Sequence, residues 1–391
     1  MVDFLSEAQS LFEYTQNLRR DFHRHPELGF HEVRTAGIVA RELTELGLEV
    51  TTGIAETGVV ALIEGDRPGG VALLRFDMDA LPIQEQTGAP YASQNPGVMH
   101  ACGHDGHTAV GLTVARLLNS HRHELSGSVK LVFQPAEEGD GGAERMMAEG
   151  IFENPHVDVA LALHLWNERP VGWLGITDGP TMAAAEIFHI ELTGRGGHGA
   201  IPNLAIDPVL ASAQIITAIQ GIVARNVSPL ETAVVSVTSL HTGEAFNVIP
   251  ARASMQGTIR TFSPLVRQRV LGRFQQIVEG VGAAMECEVD CQVRSISPAV
   301  VNDAEMAGRV RNAARQVLPN SRIEAEYRTM GAEDMAFMLQ KLPGCFFFIG
   351  SANPDQGLDA PHHHPRFDFD ERALVHAAAL MAGAAWDYLQ N

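Results

Sequence analysis

The chain has 391 residues, of which 45% are hydrophobic and 19% charged, a composition that predicts an ordinary folded protein and excludes the disordered and fibrous classes. Its formal net charge of −19, without any run of Lys or Arg, disfavours nucleic acid as a partner. The four cysteines, widely spaced apart from Cys287 and Cys291, do not form the framework of a disulfide-stabilised secreted domain.

The N-terminal segment is acidic and no apolar stretch follows it, so no signal peptide is expected. No window approaches the ~18 uninterrupted apolar residues that a membrane-spanning helix needs. These features predict a cytoplasmic protein with no membrane partner. Apolar residues then recur at helical spacing from Leu5 to Arg20 and from Glu32 to Leu46, which predicts two helices, the second ending at Gly47.

Short apolar runs alternate with helical segments in the next part of the chain, a pattern typical of α/β folds with a mixed, mostly parallel sheet flanked by helices. We expect a helix over 108–119. Strands are predicted at 71–76, 129–133, 157–163 and 345–349, and acidic or imidazole side chains follow each of them. In the same order, these side chains are Asp77 and Asp79, then Glu137 and Glu138, then His164, and then His362, His363 and His364. In open α/β sheets, functional groups gather beyond the carboxyl ends of the strands, so this placement predicts a site there.

A different order of elements runs from about residue 185 to 293. Strands are predicted at 186–193, 232–240, 253–261 and 286–293, and helices at 207–226 and 264–285. The order β-α-β-β-α-β is that of a ferredoxin-like α+β unit. The chain, which is longer than one hydrophobic core usually holds, is therefore predicted to have a catalytic domain in two parts, 1–184 and 294–391, with an inserted domain at 185–293.

The segment His100–His107 contains three histidines and Cys102 within eight residues. Thiolate and imidazole are ligands that Zn²⁺ and similar ions prefer. On its own, a Cys-x-His pair is more often part of a surface loop with a buried cysteine. The adjacent Glu137 and Glu138 would likewise suit a solvated loop, but neighbouring carboxylates repel unless cations neutralise them.

Together, these groups favour a metal site. With Asp79, Cys102, His104, His164 and a histidine near 363 at one sheet edge, the ligands are too many for one tetrahedral ion with an open position. We therefore expect two ions, typically ~3.5–4 Å apart.

Nine motifs then identify a family resemblance that spans nearly the whole chain in order. They are Phe76–Pro82, His100–His107, Phe133–Gly139, His164–Trp166, Gly196–His198, Phe246–Pro250, Gly257–Arg260, Met330–Asp334 and His363–Pro365. The chain resembles the dinuclear metallopeptidase and amidohydrolase family of aminoacylase and carboxypeptidase-like enzymes. It is most similar to the branch of hippurate hydrolase, the auxin-conjugate hydrolases and N-acetyl-diaminopimelate deacetylase.

The resemblance implies roles for individual residues of the metal centre. The implied ligands of two divalent ions (Zn²⁺, Mn²⁺, Co²⁺ or Ni²⁺) are Cys102, His104, Glu138, His164 and His363, with Cys102 as the bridge. Glu137 is implied as the general base and Asp79 as a carboxylate that orients a ligand, whereas the role of Asp77 stays open. Counting back from Pro365 selects His363 within the triple histidine, although His362 could compete.

In the inserted domain, the resemblance implies that His198 stabilises the oxyanion, often across a dimer, and that Asn247 and Arg260 lie near the substrate carboxylate. From the residues alone, His198 could be a turn residue and Arg260 a surface strand residue. Glu333 either lines the pocket or caps the helix that follows. The implied enzyme is a homodimer or higher homo-oligomer that cleaves the amide of N-acyl-amino acids, with the acyl group (acetyl, benzoyl or arylacyl) left open. The alternatives are a dipeptidase or carboxypeptidase that uses the same site and, in a different class, a non-catalytic metal-dependent binding protein.

Overall fold

The structure, a computed structural model, describes residues 2–139 and 141–390. The helices among these residues are α1 (Phe4–Ser10), α2 (Phe12–Arg24), α3 (Val33–Glu45), α4 (His104–Ser120), α5 (Gly142–Ala148), α6 (Pro208–Asn226), α7 (Pro264–Ala284), α8 (Ala304–Val317), α9 (Met335–Leu339) and α10 (Arg372–Gln390). The strands are β1 (Glu49–Ile54), β2 (Gly58–Glu64), β3 (Arg67–Asp77), β4 (Ser126–Gln134), β5 (Val159–Pro170), β6 (Trp173–Gly175), β7 (Gly179–Met182), β8 (Ala184–Thr193), β9 (Gly197–His198), β10 (Ala233–Thr242), β11 (Val248–Ile249), β12 (Arg252–Thr261), β13 (Glu288–Ser297), β14 (Val300–Asn302), β15 (Arg322–Glu324) and β16 (Gly344–Ala352).

The chain folds into two compact units. The first unit comprises Met1–Thr181, Val300–Arg328 and Glu333–Asn391, and its centre is an eight-stranded sheet in the order β1-β2-β4-β3-β5-β16-β6-β15. The central strands β4, β3, β5 and β16 are parallel, and β1, β2 and β6 add antiparallel pairings. Helices α4 and α10 pack on these strands and share one hydrophobic core with them. The predicted mixed, mostly parallel sheet flanked by helices is confirmed.

Several boundaries differ from the sequence-based expectation, among them that of the predicted helix from Leu5 to Arg20, which is divided into α1 and α2; two of the differences concern the site. Helix α4 begins at His104 rather than at Thr108, because Gly103 takes a left-handed conformation (φ 93°) that starts the helix earlier. Strand β5 continues beyond His164 to Pro170 because β16 still pairs with it, whereas its other neighbour, β3, pairs only as far as Arg75 opposite Ala162. His164 therefore lies just past the point where β3 stops pairing.

The second unit comprises Met182–Ala299 and Thr329–Ala332, a wider range than the predicted 185–293. Its antiparallel sheet has the order β10-β12-β8-β13, and α6 and α7 pack on one face of it around Phe188 and Phe274. The chain order β8-α6-β10-β12-α7-β13 is the predicted ferredoxin-like arrangement. Of the described helices, α6 alone has the length and apolar character of a membrane span, and it packs Ile215, Ile219 and Ile222 into this core.

Candidate functional site

Two groups of possible metal ligands share Cys102 at the carboxyl edge of the first unit's sheet. The ligand atoms of Cys102, His104 and His164 lie within 4.8 Å of one another, and so do those of Cys102, Glu138 and His363. Within these groups, Cys102 Sγ lies 3.4 Å from His164 Nε2, and His363 Nε2 lies 3.2 Å from Glu138 Oε1. The structure therefore brings all five predicted ligands together, with the thiol common to both groups.

His104 is oriented for a ligand role by Asp79. Its Nδ1 lies 2.9 Å from the Asp79 carbonyl oxygen and 3.2 Å from Asp79 Oδ1, and the other carboxylate oxygen accepts the Glu138 N–H at 3.0 Å. His104 Nε2 is buried without a hydrogen-bond partner. A buried polar atom without a partner is costly, and a carboxylate behind a ligand histidine is the usual support of a metal site, so these residues fit a bound cation.

His164 is held as a neutral imidazole. Its Nδ1 donates to the Leu165 carbonyl oxygen at 2.7 Å, which leaves Nε2 directed at Cys102. Burial, with the neighbouring His107, holds the pKa of His164 well below its usual range. A neutral imidazole is the form that binds metal ions, so this environment favours ligation.

The geometry separates the histidines that the sequence left in competition. His363 contacts Glu138, whereas His362 Nε2 lies 3.0 Å from the Leu165 carbonyl oxygen and its ring stacks on Trp166 at 4.7 Å. His363 has φ 64°, an uncommon conformation for a residue with a side chain. His364 Nδ1 instead accepts the Arg366 N–H at 3.1 Å.

Asp77 and His107, whose roles the sequence did not assign, form a buried support next to the ligands. His107 Nε2 accepts the Leu165 N–H at 2.9 Å, so its proton lies on Nδ1, which donates to Asp77 Oδ1 at 2.6 Å. Both ring nitrogens are therefore occupied. Burial alone would raise the pKa of Asp77, but His104, His107 and Arg75 hold it well below its usual range.

Glu137, the predicted base, follows a strained residue at the end of β4. Ala136 has φ 53°, a conformation that costs on the order of 1 kcal/mol and is common at functional sites. Glu137 Oε1 accepts the Asp334 N–H at 3.3 Å. Burial, together with Glu333, Glu138 and Asp334, raises the pKa of Glu137 well above its usual range in the metal-free site.

Glu333 is buried, with 2% of its surface exposed, and both of its carboxylate oxygens bind Arg75. Its Oε1 also accepts the Met335 N–H at the start of α9. The structure thus places Glu333 beside Glu137 and at a helix start, and it adds Arg75, which no sequence motif singled out as a site residue. The signal for Arg75 was a single charge within an otherwise apolar strand.

The remaining predicted residues lie in the second unit. His198 on β9 pairs with Val248 on β11, and Gly199 donates to the Asn247 carbonyl oxygen at 2.8 Å, so this small sheet brings His198 and Asn247 close together. His198 is exposed and its Nδ1 accepts the Ala200 N–H, which leaves Nε2 free to donate. Arg260 lies on β12 opposite Ala185 and Val234 and is half-buried.

Comparisons with known proteins place the chain in a family. Residues 73–387 match the profile of peptidase family M20/M25/M40. The chain is 41% identical over 370 residues to N-acetylcysteine deacetylase of Bacillus subtilis, covering 94% of this chain and 95% of that protein. It is 38% identical over 376 residues to thermostable carboxypeptidase 1 of Saccharolobus solfataricus, covering 94% of each.

A solved structure agrees with these relatives. The YXEP protein of Bacillus subtilis, named a dinuclear metal binding peptidase from the M20 family, aligns with a TM-score of 0.85 and 36% identity over 98% of this chain and 99% of that one. The resemblance inferred from the motifs is confirmed, and the chain belongs to peptidase family M20/M25/M40.

Proposed function

We propose that this protein is a metal-dependent amidohydrolase that cleaves N-acyl-amino acids into a carboxylic acid and a free amino acid. The observation that carries the proposal is the pair of ligand groups sharing Cys102, with Glu137 beside them. The deacetylase relative from Bacillus subtilis supports an amide substrate of this class. The carboxylate next to the ligand groups also argues against a purely binding role, which needs no proton-transfer group.

We propose that Cys102, His104, Glu138, His164 and His363 hold two divalent ions per subunit, of Zn²⁺, Mn²⁺, Co²⁺ or Ni²⁺. Thiolate and imidazole ligands suit these ions, and a thiolate shared by two cations compensates the charge of both. Bound ions of this kind polarise a carbonyl group and lower the pKa of water.

The chain's own residues then move the proton. Glu137 is placed to take a proton from the attacking water and return it to the leaving amine, acting as general base and then as general acid. Oε1 of Glu137 accepts the Asp334 N–H, and Oε2 is proposed as the oxygen that takes the proton. Asp79 keeps the His104 ring in one orientation through Nδ1.

The second unit supplies the groups that recognise the substrate. We propose that His198, through its free Nε2, donates to the oxyanion that forms at the scissile carbonyl, since catalysis requires a donor at that position. Asn247, beside it, and the guanidinium of Arg260 would bind the free carboxylate of the amino acid.

We propose further that the protein is a homodimer in which His198 serves the partner's site. Large apolar side chains are exposed on the chain segments that flank His198 and its pairing partner Val248, including Phe246 at 102% and Leu204 at 65% exposure. Apolar groups exposed together are typical of a protein–protein contact. A cytoplasmic location is also proposed, supported by the four cysteines, all of which are free.

The first test is metal reconstitution. Protein stripped by a chelator is expected to lose hydrolysis of N-acetyl, N-benzoyl and indoleacetyl amino acids, including N-acetylcysteine, and to regain it with Zn²⁺, Mn²⁺, Co²⁺ or Ni²⁺. Release of the free amino acid is measured against each substrate. Hydrolysis of dipeptides alone would favour the peptidase alternative, which the carboxypeptidase relative supports. Metal binding without turnover of any substrate would leave the binding-protein alternative.

The dimer proposal predicts complementation between two inactive variants. Glu137→Gln and His198→Ala chains, co-expressed with different tags, should give a doubly tagged heterodimer in which one of two sites has both groups. Its activity should be roughly half that of the wild type, whereas each homodimer should lose about 10²-fold or more. A chain that sediments as a monomer, or an inactive heterodimer, would remove the role of His198 in the partner's site.

A further inference from the structure

Arg75 is buried at the end of β3, and each of its N–H groups has an acceptor. Nε donates to Gln134 Oε1 at 2.8 Å, Nη1 to Asp77 Oδ2 at 2.7 Å and to Glu333 Oε2 at 3.3 Å, and Nη2 to Glu333 Oε1 at 2.9 Å and to Asp334 Oδ1 at 3.0 Å. A guanidinium has five N–H donors in a fixed plane, so this set of contacts fixes the positions of all four partners.

The partner that matters most is Asp334. Its carboxylate binds Arg75 and accepts from Gln134 Nε2 at 2.8 and 2.9 Å and from the Ala143 N–H at 3.0 Å. Its side chain therefore cannot rotate without breaking several buried hydrogen bonds. The backbone N–H of the same residue donates to Glu137 Oε1 at 3.3 Å. Fixing the Asp334 side chain thus fixes the direction of the donor that holds the proposed base.

Arg75 also binds Asp77, which lies beside the candidate metal ligands. Asp77 accepts from Arg75 through Oδ2 and from His107 through Oδ1, and His107 in turn accepts the N–H of Leu165, the residue after His164. Arg75 therefore has a position set by Asp77 and His107, which lie beside the candidate ligands. Because Arg75 also binds Asp334, it holds Asp334, and with it the N–H that donates to Glu137, at a fixed distance from Asp77.

A competing interpretation is that the carboxylates of Glu137, Glu333 and Asp334, whose oxygens lie within 4.8 Å of one another, form a third cation site. The guanidinium of Arg75 binds two of these carboxylates directly. Arg75 therefore supplies the positive charge that this cluster needs, and no further cation is required.

We propose that Arg75 is a positioning residue for amide hydrolysis, which holds Asp334 so that its N–H orients the carboxylate of Glu137. This inference rests on the proposed function. Arg75 acts through Asp334 and does not itself contact the substrate. Its loss should therefore reduce the rate of the proton-transfer step and leave substrate binding and metal content largely unchanged.

The test is Arg75→Lys, assayed in the metal-loaded full-length protein. Lysine keeps the charge, but its three N–H donors share one nitrogen and cannot bind Gln134, Asp77, Glu333 and Asp334 together. We expect kcat to fall by about 10- to 100-fold, because a misplaced catalytic group costs up to roughly 10²-fold. KM should change by less than about twofold, and two ions per subunit should remain by elemental analysis.

The matched control is Arg116→Lys. Arg116 lies on α4, where it binds Glu42 at 2.9 Å and stacks on Tyr14, and it contacts no residue of the site. Wild-type kcat in Arg75→Lys would overturn the proposal. Loss of metal would also overturn it, because Arg75 would then support the ligands rather than the base.

If Arg75→Lys does not fold, Asp334→Asn decides the question. The amide keeps the shape of the carboxylate and one acceptor for Arg75, but it cannot accept both from Gln134 and from the Ala143 N–H. A folded, metal-loaded Asp334→Asn with wild-type kcat would overturn the proposal, and a lowered kcat with unchanged KM would support it. A wild-type protein that hydrolyses none of the acyl-amino acids would instead refute the proposed function.

Discussion

Glu137→Gln is expected to lower kcat by about 10²- to 10⁴-fold while the protein retains two metal ions per subunit. Glutamine has nearly the same shape and can still accept the Asp334 N–H, but it cannot take a proton from water. The folded structure and the substrate site should therefore survive, and KM should change little. Steady-state kinetics and elemental analysis of the same preparation measure both quantities.

Variants of two nearby glutamates serve as controls for the effect of Glu137→Gln. Glu144→Gln, an identical change at an exposed position of α5, should behave as the wild type. Glu138→Gln should lose metal as well as activity, because Glu138 is proposed as a metal ligand whereas Glu137 is proposed to act only in proton transfer. If Glu137→Gln kept full turnover, Glu137 would not be the base.

Cys102→Ser is expected to show the second large effect, the loss of at least one bound ion. The hydroxyl of serine is neutral near pH 7, so it cannot supply the negative charge that a shared thiolate gives two cations. Replacing a residue behind a ligand typically costs 10- to 100-fold in metal affinity, and losing a shared ligand should exceed roughly 100-fold. Metal titration of the stripped protein, followed by calorimetry, measures the change directly.

Cys291→Ser is the control for this experiment, because Cys291 is a half-buried free cysteine of the second unit and belongs to no ligand group among the described residues. Two ions bound with wild-type affinity in Cys102→Ser would contradict a shared thiolate ligand. A variant that binds one ion tightly would identify Cys102 as the residue that makes the second site possible.

Local patterns predicted most of the fold. The alternation of apolar runs and helices was sufficient for the parallel sheet, and the order of elements was sufficient for the ferredoxin-like unit. They failed where a single backbone conformation decides the outcome. Gly103, in a left-handed conformation, starts α4 four residues earlier than expected. A glycine is compatible with that conformation but does not announce it, so the sequence pattern alone could not place the start of this helix.

The grouping of the five candidate ligands at one edge of the sheet was predictable from the sequence, but the residues that support them were not. Adjacent carboxylates and a Cys-x-His pair mark metal chemistry because their charges and donors need a cation. The roles of Arg75, Asp77 and His107 could not be assigned from the sequence, since they depend on partners as distant in the chain as Glu333 and Leu165. Contacts between residues far apart in sequence become visible only when the strands that carry them are brought together.

The environment of Cys102 has a consequence for its reactivity when no metal is bound. Burial, together with Glu138, Glu137 and Asp77, raises the pKa of its thiol well above the usual range. A thiol that stays protonated is a poor nucleophile and is oxidised slowly. Because the thiolate is the form that binds metal ions, a cation that binds Cys102 must displace this proton, and we expect the affinity for metal to rise with pH.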